Sequence, residues 1–142
     1  MYNVEKIKAF FKGDVFADST VGITIEGVGE NYAKCSLIPE SKHKNAADVV
    51  MGGVLFALAD YTFAVASNAK DIIEETSGVT QTLSSNISYL SPARIGEKLI
   101  AEAKCIKKGR TACYYTVDVY AENNPSKVLA VAAINGFTSV RN

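Results

Sequence analysis

Apolar side chains in the first dozen residues recur at helical spacing. Val4, Ile7, Phe10 and Phe11 are interleaved with Lys6, Lys8 and Lys12, which predicts a short amphipathic helix ending at Gly13. From Val21 the period changes to two. Ile23 and Ile25 alternate with Thr24 and Glu26, then Ala33, Cys35 and Leu37 with Lys34 and Ser36, as in two half-buried strands joined near Gly27 to Glu30. A polar loop, Pro39 to Asp48, precedes Val49 to Ala69, a stretch whose single charged side chain is Asp60. Beyond Ser77 and Gly78 the period of two returns. Strands are expected at Thr80 to Leu90, at Leu99 to Cys105, at Cys113 to Tyr120 and at Val128 to Val140, with turns at Lys107-Lys108-Gly109-Arg110 and Asn123-Asn124-Pro125.

Two strands, one long apolar helix and four more strands predict an α+β domain: an antiparallel sheet curled around a central helix, with the short helix at its edge. The central stretch is long enough to span a membrane. Gly52-Gly53, a charge in mid-span and the small residues Ala57, Ala59, Ala64 and Ala66 fit a helix enclosed by protein better. One sheet covers only part of such a helix, so its all-round apolar character calls for a second subunit on the other side.

Composition changes little in this picture. The chain has 142 residues, 48% of them hydrophobic, enough for a single domain over residues 1–142 and too few for two ordinary ones. Fifteen acidic and fifteen basic side chains cancel, leaving no basic field of the kind that drives nucleic-acid binding. The N-terminus lacks the apolar run of a signal peptide, so a cytoplasmic location is expected. Cys35, Cys105 and Cys113 have no C-x-x-C spacing and are read as reduced thiols, although a hairpin at Gly109 would set Cys105 and Cys113 opposite each other on one face.

Candidate chemistry concentrates in the central helix. At about 100° per residue, Gly53, Phe56, Asp60, Phe63 or Ala64, and Ser67 share one face. The first-turn amides of Gly52 and Gly53 have no intrahelical partner and lie at the positive end of the helix dipole, where they form an oxyanion hole for a carbonyl under attack. Burying Asp60 is costly unless it is used or paired. Two readings stand side by side: a carboxylate that attacks a thioester or activates water, and a structural acid paired with a Lys, Arg or backbone group of a neighbouring strand or subunit.

The run from His43 to Asp60, His43-Lys44-Asn45-Ala46-Ala47-Asp48-Val49-Val50-Met51-Gly52-Gly53-Val54-Leu55-Phe56-Ala57-Leu58-Ala59-Asp60, resembles the signature of the hotdog-fold acyl-CoA thioesterases in their phenylacetate-degradation (PaaI-like) branch. That pattern runs H-x-N-x-x-G-x-x-H-G-G-x-x-x-x-L-x-D. The later Ile87 to Gly96 resembles the family's next strand and turn. The resemblance implies hydrolysis of a small or aromatic acyl-CoA, with the Gly52 amide polarising the carbonyl, Asp60 as nucleophile or general base, and Asn45 shaping the pocket or orienting water. It also implies active sites between subunits of a dimer within a homotetramer, and no cofactor beyond the coenzyme A of the substrate. Two positions depart from the pattern: Met51 stands where the family usually has His, and Asp48 where it usually has Gly.

Arg94, Lys107, Lys108 and Arg110 fall near turns and are candidates for the phosphates of coenzyme A; Gly53 and Ser67 are further substrate-binding candidates. Tyr61 and Phe63 read as packing residues. His43, the only histidine, has no G-x-S-x-G serine to serve, and one histidine with scattered cysteines makes no metal site. Phosphate and dinucleotide fingerprints are missing. Besides hydrolysis, the readings left open are an acyl-thioester dehydratase, whose relatives generally use an active-site histidine, and a non-catalytic acyl-CoA-binding module.

Overall fold

The computed structural model describes residues 1–140. Asn3 caps α1 (Val4–Phe11) by accepting the Glu5 amide at 3.0 Å, and the helix buries Ile7 and Phe11. The strand expected from Val21 starts later. Phe16–Val21 form a π-helical turn stopped by Gly22 at φ +87°, and β1 (Thr24–Gly29) follows. No period of two or 3.6 marks those six residues, so the pattern could not announce them. The turn to β2 (Tyr32–Leu37) sits at Glu30-Asn31, at the far edge of the expected stretch, because Gly27 and Gly29 stay in the ladder.

The loop after β2 contains a single 3₁₀ turn, Ser41–His43, and leads into α2 (Gly52–Glu74), which continues past the expected Ala69. No helix among the described residues is long and apolar enough to cross a membrane. The remaining strands are β3 (Gly78–Tyr89), β4 (Leu99–Lys108), β5 (Ala112–Ala121) and β6 (Asn124–Val140). β6 starts before the expected Val128 and takes in Pro125 where its ladder with β5 loses register, a place that tolerates the missing N–H. All six strands join one antiparallel sheet in the order β1-β2-β4-β5-β6-β3. This is the expected sheet wrapped on a central helix.

A bulge between Cys105 and Lys107 corrects one expectation. It sets Cys105 opposite Tyr115 and Cys113 opposite Lys108, so the two thiols are diagonal neighbours rather than a facing pair. All three cysteines are free. Burial pushes the Cys35 thiol up to about 12, which keeps it protonated and inert.

The core lies between α2 and the concave face of the sheet. Leu55, Leu58, Ala59, Phe63, Ala66 and Ala69 of α2 meet Ala33, Cys35, Ala101, Ala103, Val117 and Ala132. Small residues on the strands let the helix approach closely, and aromatic rings fill the larger gaps. Phe63 packs edge-on to Tyr115 at 5.2 Å, and Phe11 of α1 edge-on to Tyr61 at 5.5 Å. The buried Asn68 side chain pins α2 to β3: its Oδ1 accepts the Thr80 amide at 2.8 Å and its Nδ2 donates to the Thr80 carbonyl at 3.0 Å. Two ends of the molecule follow from the registers. The helix start lies with Tyr89 and the Leu37–Leu99 pair; the helix end lies with the β1–β2 and β4–β5 turns.

Candidate active site

The loop before α2 is held by its own backbone. The Asn45 side-chain oxygen accepts the Ala47 amide at 2.9 Å and the Val49 amide at 3.3 Å, while Met51 N–H donates to the His43 carbonyl and Val50 N–H to the Ala93 carbonyl, each at 2.9 Å. Asp48 sits in this turn at φ +62°, the left-handed region that explains why glycine commonly stands there; aspartate is among the few side chains that tolerate it. Its carboxylate pairs with Lys44 at 2.8 Å on the surface. Asp48 therefore answers a backbone demand, and its carboxylate is an exposed surface acid.

His43 proves to be buried rather than part of a solvated loop. Its Nδ1 accepts the Glu40 amide at 2.9 Å and its Nε2 lies 2.8 Å from the Val21 carbonyl, tying the 3₁₀ turn to the π-helical turn. With both nitrogens engaged, the ring is a structural joint. Met51 occupies the N-cap of α2, is 54% exposed and offers no side-chain cap. The Gly52 and Gly53 amides thus head the helix without a side-chain acceptor from the preceding residue.

Asp60 is half-buried, on a face of α2 that the sheet of its own chain leaves open. Its Oδ1 accepts the Thr82 hydroxyl at 2.7 Å, and no Lys or Arg among the described residues forms an ion pair with it. As expected, one sheet covers only part of α2: on the face it leaves open, Gly53, Phe56, Ala57, Asp60 and Ala64 line a groove of about 380 Å³. Asp14, Phe16 and Ala17 of the N-terminal segment, Tyr61 and Tyr89 complete its wall. Burial, and after it the thiol of Cys35 and the carboxylates of Asp14 and Asp18, holds the Tyr61 hydroxyl well above its ordinary value, so it is a neutral wall.

The predicted stripe is only partly realised. Phe63 turns into the core, and Ser67, 1% exposed, donates weakly to the Ala64 carbonyl within its own helix. Gly52 and Asn45 line a second groove, of about 420 Å³, with Val49, Leu55, Leu90 and Pro92. Tyr89 stands between the two grooves and lines both. Arg94 lies in the loop beside this second groove, next to Ala93 of its wall. Lys108 and Arg110 do not approach either groove within one chain. They sit at the β4–β5 turn, where Lys108 donates to Asn31 at 3.2 Å, beside the far end of a helix about 33 Å long.

Distance settles what a single chain can do. Eight residues separate Gly52 from Asp60, a rise of about 12 Å along the helix, whereas a reacting carbonyl must sit within about 3.5 Å of its nucleophile. The amides and the carboxylate of one helix therefore cannot act on the same thioester. Sequence reasoning missed Thr82, Tyr89 and the N-terminal wall. By simple alternation Thr82 and Tyr89 fall on opposite faces of β3, and only the bulge between Thr82 and Ser84, with the crossing of β3 over α2, gives both partners on the helix.

Comparison with known proteins shows the family and the fold. The model of the thioesterase superfamily matches residues 47–127, from the loop before α2 into β6. A putative esterase of Archaeoglobus fulgidus is 34% identical over 130 residues, covering 91% of this chain and 79% of that protein. Human acyl-coenzyme A thioesterase 13 is 29% identical over 115 residues, covering 81% of this chain and 79% of that one. The Escherichia coli acyl-coenzyme A thioesterase PaaI is 28% identical over 123 residues, 87% of this chain and 81% of its own. A solved structure of the E. coli PaaI protein from the phenylacetic acid degradation operon superposes with a TM-score of 0.83 over 98% of this chain and 93% of that one, at 22% identity. The chain therefore belongs to the thioesterase superfamily, with the hotdog fold of its PaaI-like branch.

Proposed function

We infer that the protein hydrolyses acyl-coenzyme A thioesters with a small or aromatic acyl group, in sites assembled between two copies of the chain. The observation that carries this reading is the division of the machinery. The bare helix start at Gly52 and Asn45 line one groove, and Asp60 lines another about 12 Å along the open face of α2. A second copy packed with its helix antiparallel sets Asp60 of the partner subunit against the first copy's Gly52 and Asn45. Twelve-residue β3 is an edge strand with one free ladder and an exposed Leu83, which fits strand pairing across the same dyad.

In such a site the Gly52 amide donates to the thioester oxygen as it becomes an oxyanion. Asp60 either attacks the carbonyl carbon, expelling the coenzyme A thiolate and leaving an acyl anhydride that water opens, or takes a proton from the attacking water. Thiolate leaves without a general acid, so no proton donor at that sulfur is required. The names of the relatives support the substrate class: human acyl-coenzyme A thioesterase 13 and E. coli acyl-coenzyme A thioesterase PaaI are called thioesterases of acyl-coenzyme A.

The test is thiol release from a panel of acyl-CoAs by wild type, Asp60→Ala and Asn45→Ala. Wild type should turn over at least one substrate, and each variant alone should fall to background. Mixing the two inactive variants after subunit exchange should restore about a quarter of wild-type activity, because half the dimers are mixed and each carries one intact site of two. Full turnover by Asp60→Ala would sink the assignment, and a stable monomer in sedimentation would sink the shared site. Met51, in place of the branch's usual histidine, favours a second reading as a non-catalytic acyl-CoA-binding module. On that reading wild type binds but hydrolyses nothing, and Asp60→Asn binds as well as wild type.

A further inference from the structure

Tyr89 closes β3 directly over the start of α2. Its hydroxyl donates to the Gly52 carbonyl oxygen at 2.9 Å. Its ring occupies the space beside the Gly52 Cα, where an added methyl group would meet Cζ at 3.1 Å and Cε1 at 3.3 Å. One residue thus grips the same glycine twice. The carbonyl of Gly52 and the N–H of Gly53 are the two ends of one planar peptide unit. A donor on that oxygen fixes the rotation of the plane and draws electron density away from the nitrogen, which makes the Gly53 N–H a stronger hydrogen-bond donor. Because first-turn N–H groups point out along the helix axis, the Gly52 and Gly53 amides converge on one anion in front of the helix. Met51 at the N-cap contributes no side-chain bond that could order this turn. β3 also holds Asp60 through Thr82, so a single strand fastens both the carboxylate and the amide end of α2.

We propose that Tyr89 is a positioning residue of the oxyanion hole, its hydroxyl orienting and polarising the Gly52–Gly53 peptide so that the Gly53 amide joins that of Gly52 in holding the oxyanion. This deepens the thioesterase reading and rests on it. The polarisation acts in the transition state, when charge builds on the carbonyl oxygen, so it belongs to kcat rather than to substrate binding.

The decisive variant is Tyr89→Phe, which keeps the ring against Gly52 and removes the hydroxyl alone. Three quantities are measured: steady-state kinetics on the best acyl-CoA of the panel, the melting temperature, and the Gly53 amide resonance in a ¹⁵N–¹H correlation spectrum. The expected result is a fall in kcat of about tenfold with KM within about twofold, the size of one lost neutral hydrogen bond. The melting temperature stays within about 2 °C, since one half-exposed hydroxyl is lost from the surface of the fold. The Gly53 amide proton moves upfield as its peptide loses the acceptor bond. Tyr89→Leu, which also removes the ring, should lower both kcat and the melting temperature. Wild-type kcat in Tyr89→Phe, or a loss confined to KM, overturns the proposal. If wild type hydrolyses no acyl-CoA, the thioesterase reading fails first, and an unshifted Gly53 resonance then overturns the peptide-polarising role by itself.

Discussion

The two faces of α2 share one backbone, yet the sheet of the chain covers only one of them. On the inner face Leu55, Leu58, Ala59, Phe63 and Ala66 are buried by the sheet of their own chain. On the outer face Gly53, Phe56, Ala57 and Ala64 remain open around Asp60. That outer face is too apolar for solvent and carries a carboxylate no packed core would accept unpaired. An apolar helix pattern thus reports how much of the surface is apolar, not which part of it the chain's own sheet covers.

The largest effect that would break this comparison is catalytic. Asp60→Asn should lower kcat by about a thousandfold, the scale of a lost general base, while leaving the melting temperature within about 2 °C. A large loss of stability instead would make the outer face structural. On the inner face Phe63→Ala should cost about 3–5 kcal/mol in urea unfolding, because it removes a fully buried ring packed on Tyr115 and leaves a cavity. A cost under about 1 kcal/mol would mean that the two faces are not energetically distinct.

A smaller effect sharpens the role of Thr82. Thr82→Val keeps the shape and removes the 2.7 Å bond to Asp60, and kcat should fall about tenfold with a stability change under about 1 kcal/mol. Unchanged kcat would leave Asp60 oriented by something other than β3.

The smallest effect comes from a carboxylate on the convex face of the sheet, the counterpart of Asp60 in a fully partnered setting. Glu102 accepts the Tyr32 hydroxyl at 2.6 Å and a second, shorter bond from Tyr120. Burial opposes its charge, but the two phenol donors outweigh it, and its carboxyl sits below the ordinary 4.5. The same contact, after burial, raises the Tyr32 hydroxyl to about 12. A depressed folded-state value means that the stabilisation is present above the unfolded value and lost as pH falls through the folded one. Glu102→Gln should therefore cost about 1 kcal/mol at pH 7 and progressively less below about pH 4.5, read from unfolding curves across that range. A penalty that persists at pH 3 would assign it to lost packing.

Much of this molecule was legible in its residues. The change from a period of 3.6 to one of two marked α1 and the strands, and Gly52-Gly53 ahead of an apolar run with one acid marked the start of α2 and the candidate carboxylate. Other features were hidden for identifiable reasons. The π-helical turn at Phe16–Val21 follows no simple period, and the buried His43 looks like a loop residue until Val21 and Glu40 fold over it. Thr82 and Tyr89 are ordinary polar or exposed positions of an edge strand until that strand crosses α2.

What the sequence determined by itself was local and additive: where elements begin, which face of each is apolar, and that Asp60 is an uncommon charge in such a place. Only the tertiary structure decided which of these meet. It put Lys108 and Arg110 at the far end of α2, turned Phe63 and Ser67 away from the groove, gave Thr82 and Tyr89 their partners, and separated Gly52 from Asp60 by about 12 Å of helix. The reason is geometric: periodicity fixes angles around one axis, whereas a site is a set of distances between axes, and those are set by strand order, register and the surface left uncovered.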